Sequence, residues 1–230
     1  LGLRLFSEIN GMIVLALDTA GVDCAAAVYD SGGDSVLGEA TDTIGRGHAE
    51  HLMATVDRAL ERAGLGLSAV ERIAVSIGPG SFTGIRVGVA AARGFALSLG
   101  IPAVGVTTLE VLAAAQRDKT PGRPVLAGMD AKRGEIYLQS FDAGGRPLDE
   151  PRAVTIEEAQ DIAASFDGEI TGSATPLLKP GATGDYVNHF PISIVARLGA
   201  AASLDAGKPK PLYLRGPDAK PQAGFAIARV

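Results

Sequence analysis

The sequence predicts an α/β chain built from two related halves, each a mixed sheet covered by helices. Three observations carry this reading. Apolar runs of strand character alternate with segments whose apolar residues recur three or four apart. Their order, a hairpin, then helix, strand and helix, pairs some strands antiparallel and others parallel and lays helices over them. One local pattern also occurs twice. Asp18 and Asp130 are each followed by an acid at +5, an aromatic at +11, an aspartate at +12 and a Gly-Gly pair at +14 and +15.

In order, "MIVLALDTAG" (12–21) reads as a strand closed by Asp18 and Thr19, and "CAAAVYD" (24–30) as a second. Gly32-Gly33 is the hairpin turn to a third strand over 35–43. From Ala49 the period changes. Ala49, Leu52, Met53, Val56, Ala59, Leu60 and Ala63 form one face of a helix that Gly64 ends. "ERIAVSIGPG" (71–80) is a strand running into a glycine turn. A helix follows from Thr83, with Ile85, Val89, Ala92, Ala96 and Leu99 on one face. "IPAVGV" (101–106) and "TTLEVLAAAQ" (107–116) give another strand and helix. The polar, breaker-rich run "RDKTPGRP" (117–124) marks the boundary between the halves. Beyond the repeated hairpin the second half reads as less regular, polar and proline-bearing from Gly168 to Pro191, with a short helix over 192–204 before the tail.

Composition narrows the function. A chain of 230 residues, 47% apolar and 20% charged, belongs with folded proteins that bury a real core. A net charge of -5 with no Lys/Arg-rich block excludes a protein that wraps nucleic acid by itself, so a role on RNA would pass through a partner. Cys24 is alone and closes no internal disulfide, which suits a reducing, cytoplasmic compartment. No uninterrupted apolar run reaches the roughly 20 residues of a membrane span. The opening "LGLRLFSEING" lacks the features of a secretory signal. Residues 1–11 are read as a vector remnant or an over-called start.

The glycine turn carries the most chemistry. Gly78, Gly80 and Gly84 leave a bare backbone whose amides can face an anion, and the helix start near Thr83 adds unpaired N–H groups. The alternative is a sharp turn into a closely packed helix. The turn is neither a Walker A loop nor a dinucleotide fingerprint. Asp18 and Thr19, at the end of the first strand, could hold hydrated magnesium near a phosphate, or simply cap a turn. His48 and His51 lack a third ligand for zinc, and a capped helix start explains them more cheaply. Ser81 has no nucleophile elbow around it. Gly84, Gly88 and Ala91, with Val87 beside them, form a smooth stripe that faces either the protein's own core or another subunit.

Several of these segments carry a resemblance: "LALDTAG" (15–21), "RGHAEHL" (46–52) and above all "SIGPGSFTGIRVG" (76–88), supported by "GVTTLEVLA" (105–113), "MDAKRGEIY" (129–137) and "YLRGPDAKPQ" (213–222). Together they resemble the TsaB (YeaZ) family, grouped by sequence with M22 glycoprotease-like proteins. The resemblance implies two RNase H-like domains of the actin/Hsp70/sugar-kinase (ASKHA) type. A partner-binding first domain would span 12–116 and a smaller second one 117–222, with a tail at 223–230. It implies a non-catalytic scaffold or activator required for N6-threonylcarbamoyladenosine (t6A) at position 37 of ANN-decoding tRNAs. Such a subunit acts through the catalytic subunit TsaD, alongside the ATPase TsaE, on a carbamoyl-adenylate donor made by TsaC. It would meet tRNA only through the complex and no membrane at all, and its partner surface would allow a homodimer when TsaD is absent.

The resemblance further implies that Asp18, Thr19, Gly78, Gly80 and Ser81 are a vestigial phosphate site, with no intrinsic cofactor and a place for nucleotide only at the partner junction. Ala49, Leu52, Met53, Val56, Gly84, Val87, Gly88 and Ala91 would form the interface. One departure bears on catalysis. Catalytic relatives hold a metal with two histidines of an N-H-x-E-G-H segment, where this chain has "TTLEVL" (107–112). Thr108 and Leu112 stand in their places, and a leucine ligates nothing. The competing readings are an ATP-dependent small-molecule kinase, which needs a second phosphate loop, and an M22-type metallopeptidase. "ITGSAT" (170–175) is either a reduced second loop or a plain strand-turn.

Overall fold

The computed structural model describes residues 11–182 and 186–215. The expected remnant at 1–11 lies outside them except for Gly11, and the tail at 223–230 lies outside them entirely. Five strands form the first sheet: β1 (Ile13–Asp18), β2 (Asp23–Asp30), β3 (Ser35–Thr43), β4 (Arg72–Gly78) and β5 (Ala103–Thr107). Their order is β3-β2-β1-β4-β5. The β1–β2 and β2–β3 pairs are antiparallel, whereas β1–β4 and β4–β5 are parallel. Every residue of β1 and β2 is buried, which is why both read as unbroken apolar runs rather than as alternating ones.

Helices cover both faces. Successive strand residues point to opposite sides, and β4 shows which helix lies where. Gly88 of α2 (Phe82–Leu99) comes down beside Val75, and Gly199 of α6 (Ile192–Ala201) beside Ala74. α1 (His48–Ala63) adjoins α2 and packs on β2 and β3. Both α1 and α2 end in glycines of left-handed conformation, Gly64 and Gly100. Among the described residues α2 is the one helix long and apolar enough to cross a membrane, and its Gly84, Ile85, Gly88, Val89 and Ala92 are buried in this core.

The second sheet repeats the first. β6 (Val125–Lys132), β7 (Glu135–Phe141), β8 (Arg152–Thr155) and β9 (Glu169–Thr171) run in the order β8-β7-β6-β9. Their pairings are antiparallel, antiparallel and parallel, matching β3-β2-β1-β4. Alternation along β6 splits the core. Val125, Ala127 and Met129 join Leu109, Val111 and Leu112 of α3 (Thr108–Lys119) in the main cluster. Leu126 faces the other way, toward Ala159 and Ala163 of α4 (Ile156–Ser165) and Leu178 of α5 (Thr175–Leu178).

The structure differs from the sequence reading in four places. α3 continues through Arg117 and Asp118 to Lys119, into the expected boundary. β8 and α4 occupy a stretch with no expected element, and the polar region from Gly168 holds β9 and α5. α6 stops at Ala201 rather than residue 204, because Ala202 is extended. Most consequentially, α6 follows the second sheet in sequence but packs on the first.

Candidate functional site

The glycine turn joins β4 to α2. Gly78 has φ +102, a conformation that favours glycine, and a Cβ there would meet Ile85 Cδ1 at 2.7 Å. A Cβ on Gly80 would lie 2.4 Å from the Ala20 carbonyl oxygen. The turn is therefore pressed onto the β1–β2 loop, and two amides at the turn and helix start are bonded within the protein. Ser81 N donates to Ala20 O at 2.8 Å, and Ser81 Oγ caps α2 by accepting from Gly84 N at 3.2 Å.

The expected phosphate set divides accordingly. Gly80 and Ser81 are exposed and line a cleft of about 510 Å³ between the two sheets, together with Gly21, Lys132, Ser173 and Asn188. Asp18, Thr19 and Gly78 are buried and do not face it. Thr19 lies under α2, where its Oγ1 donates to Gly84 O at 2.7 Å. Asp18 Oδ1 accepts from Ala20 N at 3.2 Å, while Asp18 Oδ2 and Ser76 Oγ are buried without hydrogen-bond partners among the described residues. Burial pushes the Asp18 carboxyl up to about 7, and the nearby Ser76 hydroxyl draws it part of the way back without forming a standard bond. A carboxyl sealed in this way has no room for a hydrated cation.

In "ITGSAT" the strand-turn geometry is what forms. Gly172 has φ +96, Ser173 Oγ accepts from Asp130 N at 3.0 Å, and Thr175 Oγ1 donates to Gly172 O at 2.7 Å. The histidines do not assemble a metal-ligand set among the described residues. His48 is buried with Nε2 3.1 Å from Asp23 O, while His51 is exposed on α1. His189, remote in sequence, places Nδ1 2.6 Å from Asp23 Oδ2. Among the described residues no group of three or more His, Cys, Asp or Glu side chains could hold a metal.

The segment at 107–112 is packing. Thr107 and Glu110 form a capping box that starts α3. Thr108 is fully buried, with Oγ1 donating to Pro79 O at 2.5 Å, and Leu112 sits in the main core.

The expected interface set also divides, by exposure. Leu52 and Val56 are buried on the inner face of α1. Gly84 and Gly88 face inward, where a Cβ would lie 1.9 Å from Thr19 O and 2.5 Å from Thr19 Oγ1 respectively. The glycines serve close packing of α2 on Thr19, just past β1, and on Val75 of β4. Ala49 and Met53 (47% exposed) remain at the surface, with Val87 and Ala91 half-buried. Ala49 and Val87 line a groove of about 470 Å³ between the starts of α1 and α2. Sequence reasoning missed the stack beside it. The Arg86 guanidinium lies 3.7 Å from the centre of the Phe82 ring, and its Nε donates to Tyr213 Oη at 2.8 Å. Phe82 and Arg86 are four apart on α2, a local signal, whereas Tyr213 comes from far along the chain.

The family model for TsaD, tRNA N6-adenosine threonylcarbamoyltransferase, matches residues 36–164. The tRNA threonylcarbamoyladenosine biosynthesis protein TsaB of Escherichia coli (strain K12) is 35% identical over 56% of this chain and 55% of its own. YeaZ from Pseudomonas aeruginosa superposes with a TM-score of 0.72 at 26% identity, covering 88% of this chain and all of that one. The chain belongs to the TsaB (YeaZ) family. Likeness to TsaB of Escherichia coli spans about half of each protein, whereas an uncharacterized protein of Mycobacterium tuberculosis (strain ATCC 25618 / H37Rv) matches at 33% over 94% of this chain and 98% of its own. The TsaD match includes the 107–112 segment, so this TsaB-family chain carries Thr108 and Leu112 inside the region it shares with the transferase.

Proposed function

We propose that this chain is a non-catalytic scaffold or activator subunit in the formation of threonylcarbamoyladenosine on tRNA, acting through a TsaD-type catalytic subunit. One observation carries the reading: where the family resemblance implies metal-binding histidines, this chain has a threonine bonded to Pro79 and a leucine in the core. Both side chains are committed to packing, and neither is free to ligate. The kinase reading needs open amides at the glycine turn, but Ser81 N and Gly84 N are already bonded within the protein.

In this reading the two sheets are RNase H-like units of the ASKHA type. The first comprises 12–116 together with α6, and the second comprises the rest of 117–222. The shared order β3-β2-β1-β4 and β8-β7-β6-β9 supports it. The partner surface is the outer side of α1 and α2, where Ala49, Met53, Val87, Ala91 and the Phe82–Arg86 stack are grouped. A TsaE-type ATPase joins the assembled pair, tRNA is met through the complex, and a homodimer would use the same helices. Mixing the chain with a TsaD-type subunit and reading the mass by sedimentation tests this. A stable heteromer is expected, which Met53→Glu should dissociate. Separate sedimentation of the wild-type proteins would contradict it.

A further inference from the structure

A second concavity lies at the opposite end of α2. α2 ends at Gly100 in left-handed conformation, and the chain turns through Ile101 and Pro102 into β5. After α6 the chain crosses back past this end, turning at Gly207 (φ +72). Between the helix and the returning segment is a groove of about 570 Å³, the size of a small-ligand site. Leu97, Ile101, Pro102 and Leu204 make its lining largely apolar. Leu97 is 82% and Leu204 50% exposed, a high exposure for two neighbouring leucines.

Charge narrows the occupant. Arg93 and Lys208 line the groove, and no Asp or Glu does. Neither cation has an ion pair or side-chain hydrogen bond among the described residues, although the chain carries a net charge of -5. The C-terminal carbonyls of α2 bring partial negative charge to this end, so anion recognition falls to these two side chains. We propose that the groove binds an amphiphile with an apolar tail and one anionic head, the chemistry of a fatty-acid carboxylate. The tail covers Leu97 and Leu204, and the head meets Arg93 and Lys208.

Gly94 supplies a clean variant, because it lines the groove and a Cβ there meets nothing within 4 Å. Gly94→Phe puts a ring into the groove from a position where a Cβ is unobstructed, and also favours the helix. Calorimetry on the full chain with decanoate, decanol and decyltrimethylammonium is the experiment. Decanoate should bind roughly tenfold more tightly than decanol, and the cationic amphiphile least. Lys208→Glu should weaken decanoate by roughly threefold to tenfold. Gly94→Phe should abolish binding while the unfolding midpoint holds. Equal binding of all three amphiphiles, or none, overturns the proposal. So does a dimer of the wild type that Gly94→Phe dissociates while decanoate has no effect, since the groove would then be a contact between copies.

Discussion

The repeat puts an aspartate at the same point of each half, and the two halves use it in opposite ways. Asp18 is fully buried, with one carboxylate oxygen unpartnered. Asp130 is half-buried at the edge of the cleft, accepts from Lys132 N at 2.8 Å and pairs with Lys132 Nζ at 2.7 Å. The difference lies in the helix that succeeds the parallel partner of β1 and of β6. β4 and β9 both lead into a glycine of positive φ, Gly78 at +102 and Gly172 at +96. After Gly78 comes α2, 18 residues long, whose Gly84 and Gly88 press onto Thr19 and help close the roof over Asp18. After Gly172 comes α5, only four residues long. The first half has sealed its aspartate into the core, and the second has left its own at the edge of the cleft.

Substitution at the roof should break this contrast most strongly. Gly84→Val would drive a side chain into the Thr19 carbonyl, so chemical denaturation should show a loss of more than about 3 kcal/mol or no folded protein. Gly94→Ala, with open space around it, should leave stability within about 0.5 kcal/mol.

The aspartates come next. Because the Asp18 carboxyl is raised from 3.8 to about 7, the folded chain keeps a proton that the unfolded chain has released between those values. Stability contributed by this group is therefore full below pH 4, falls as pH rises toward 7 and stays low above it. Asp18→Asn should flatten that slope and raise stability at pH 8 by about 2–4 kcal/mol, if the amide packs as well as the acid. Asp130→Asn loses a largely exposed ion pair and should cost less than about 1 kcal/mol. Equal pH slopes in wild type and Asp18→Asn would remove the distinction between the halves.

Smaller effects sharpen it. His189→Ala removes the bond that ties the segment before α6 to Asp23, and should cost about 1–2 kcal/mol by thermal unfolding. Met53→Glu, on the outer side of α1, should change stability by less than about 0.5 kcal/mol while weakening TsaD-type association.

Much of the first sheet was legible because its periods are unbroken: β3 spans 35–43 as expected, and Gly64 ends α1 as expected. α4 was missed although its start carries a local signal, Thr155 and Glu158 in a capping box. The return of α6 to the first sheet was not legible, since contacts such as Gly199 on Ala74 join positions far apart in the chain. The site was legible in part. Spacing shows that Gly84 and Gly88 share a stripe, but only the Thr19 carbonyl beneath them shows that the stripe faces inward. Similarly, the sequence marks Asp18 as chemically interesting, whereas only the structure shows that it is sealed away from the cleft.

The most direct test of the central claim is threonylcarbamoyl transfer to tRNA, with a TsaD-type subunit, a TsaE-type ATPase and the donor-generating enzyme present. Adding this chain should raise product formation severalfold, and this chain without the TsaD-type subunit should give none. Equal turnover with and without it, or transfer by this chain in the absence of the TsaD-type subunit, would contradict the account.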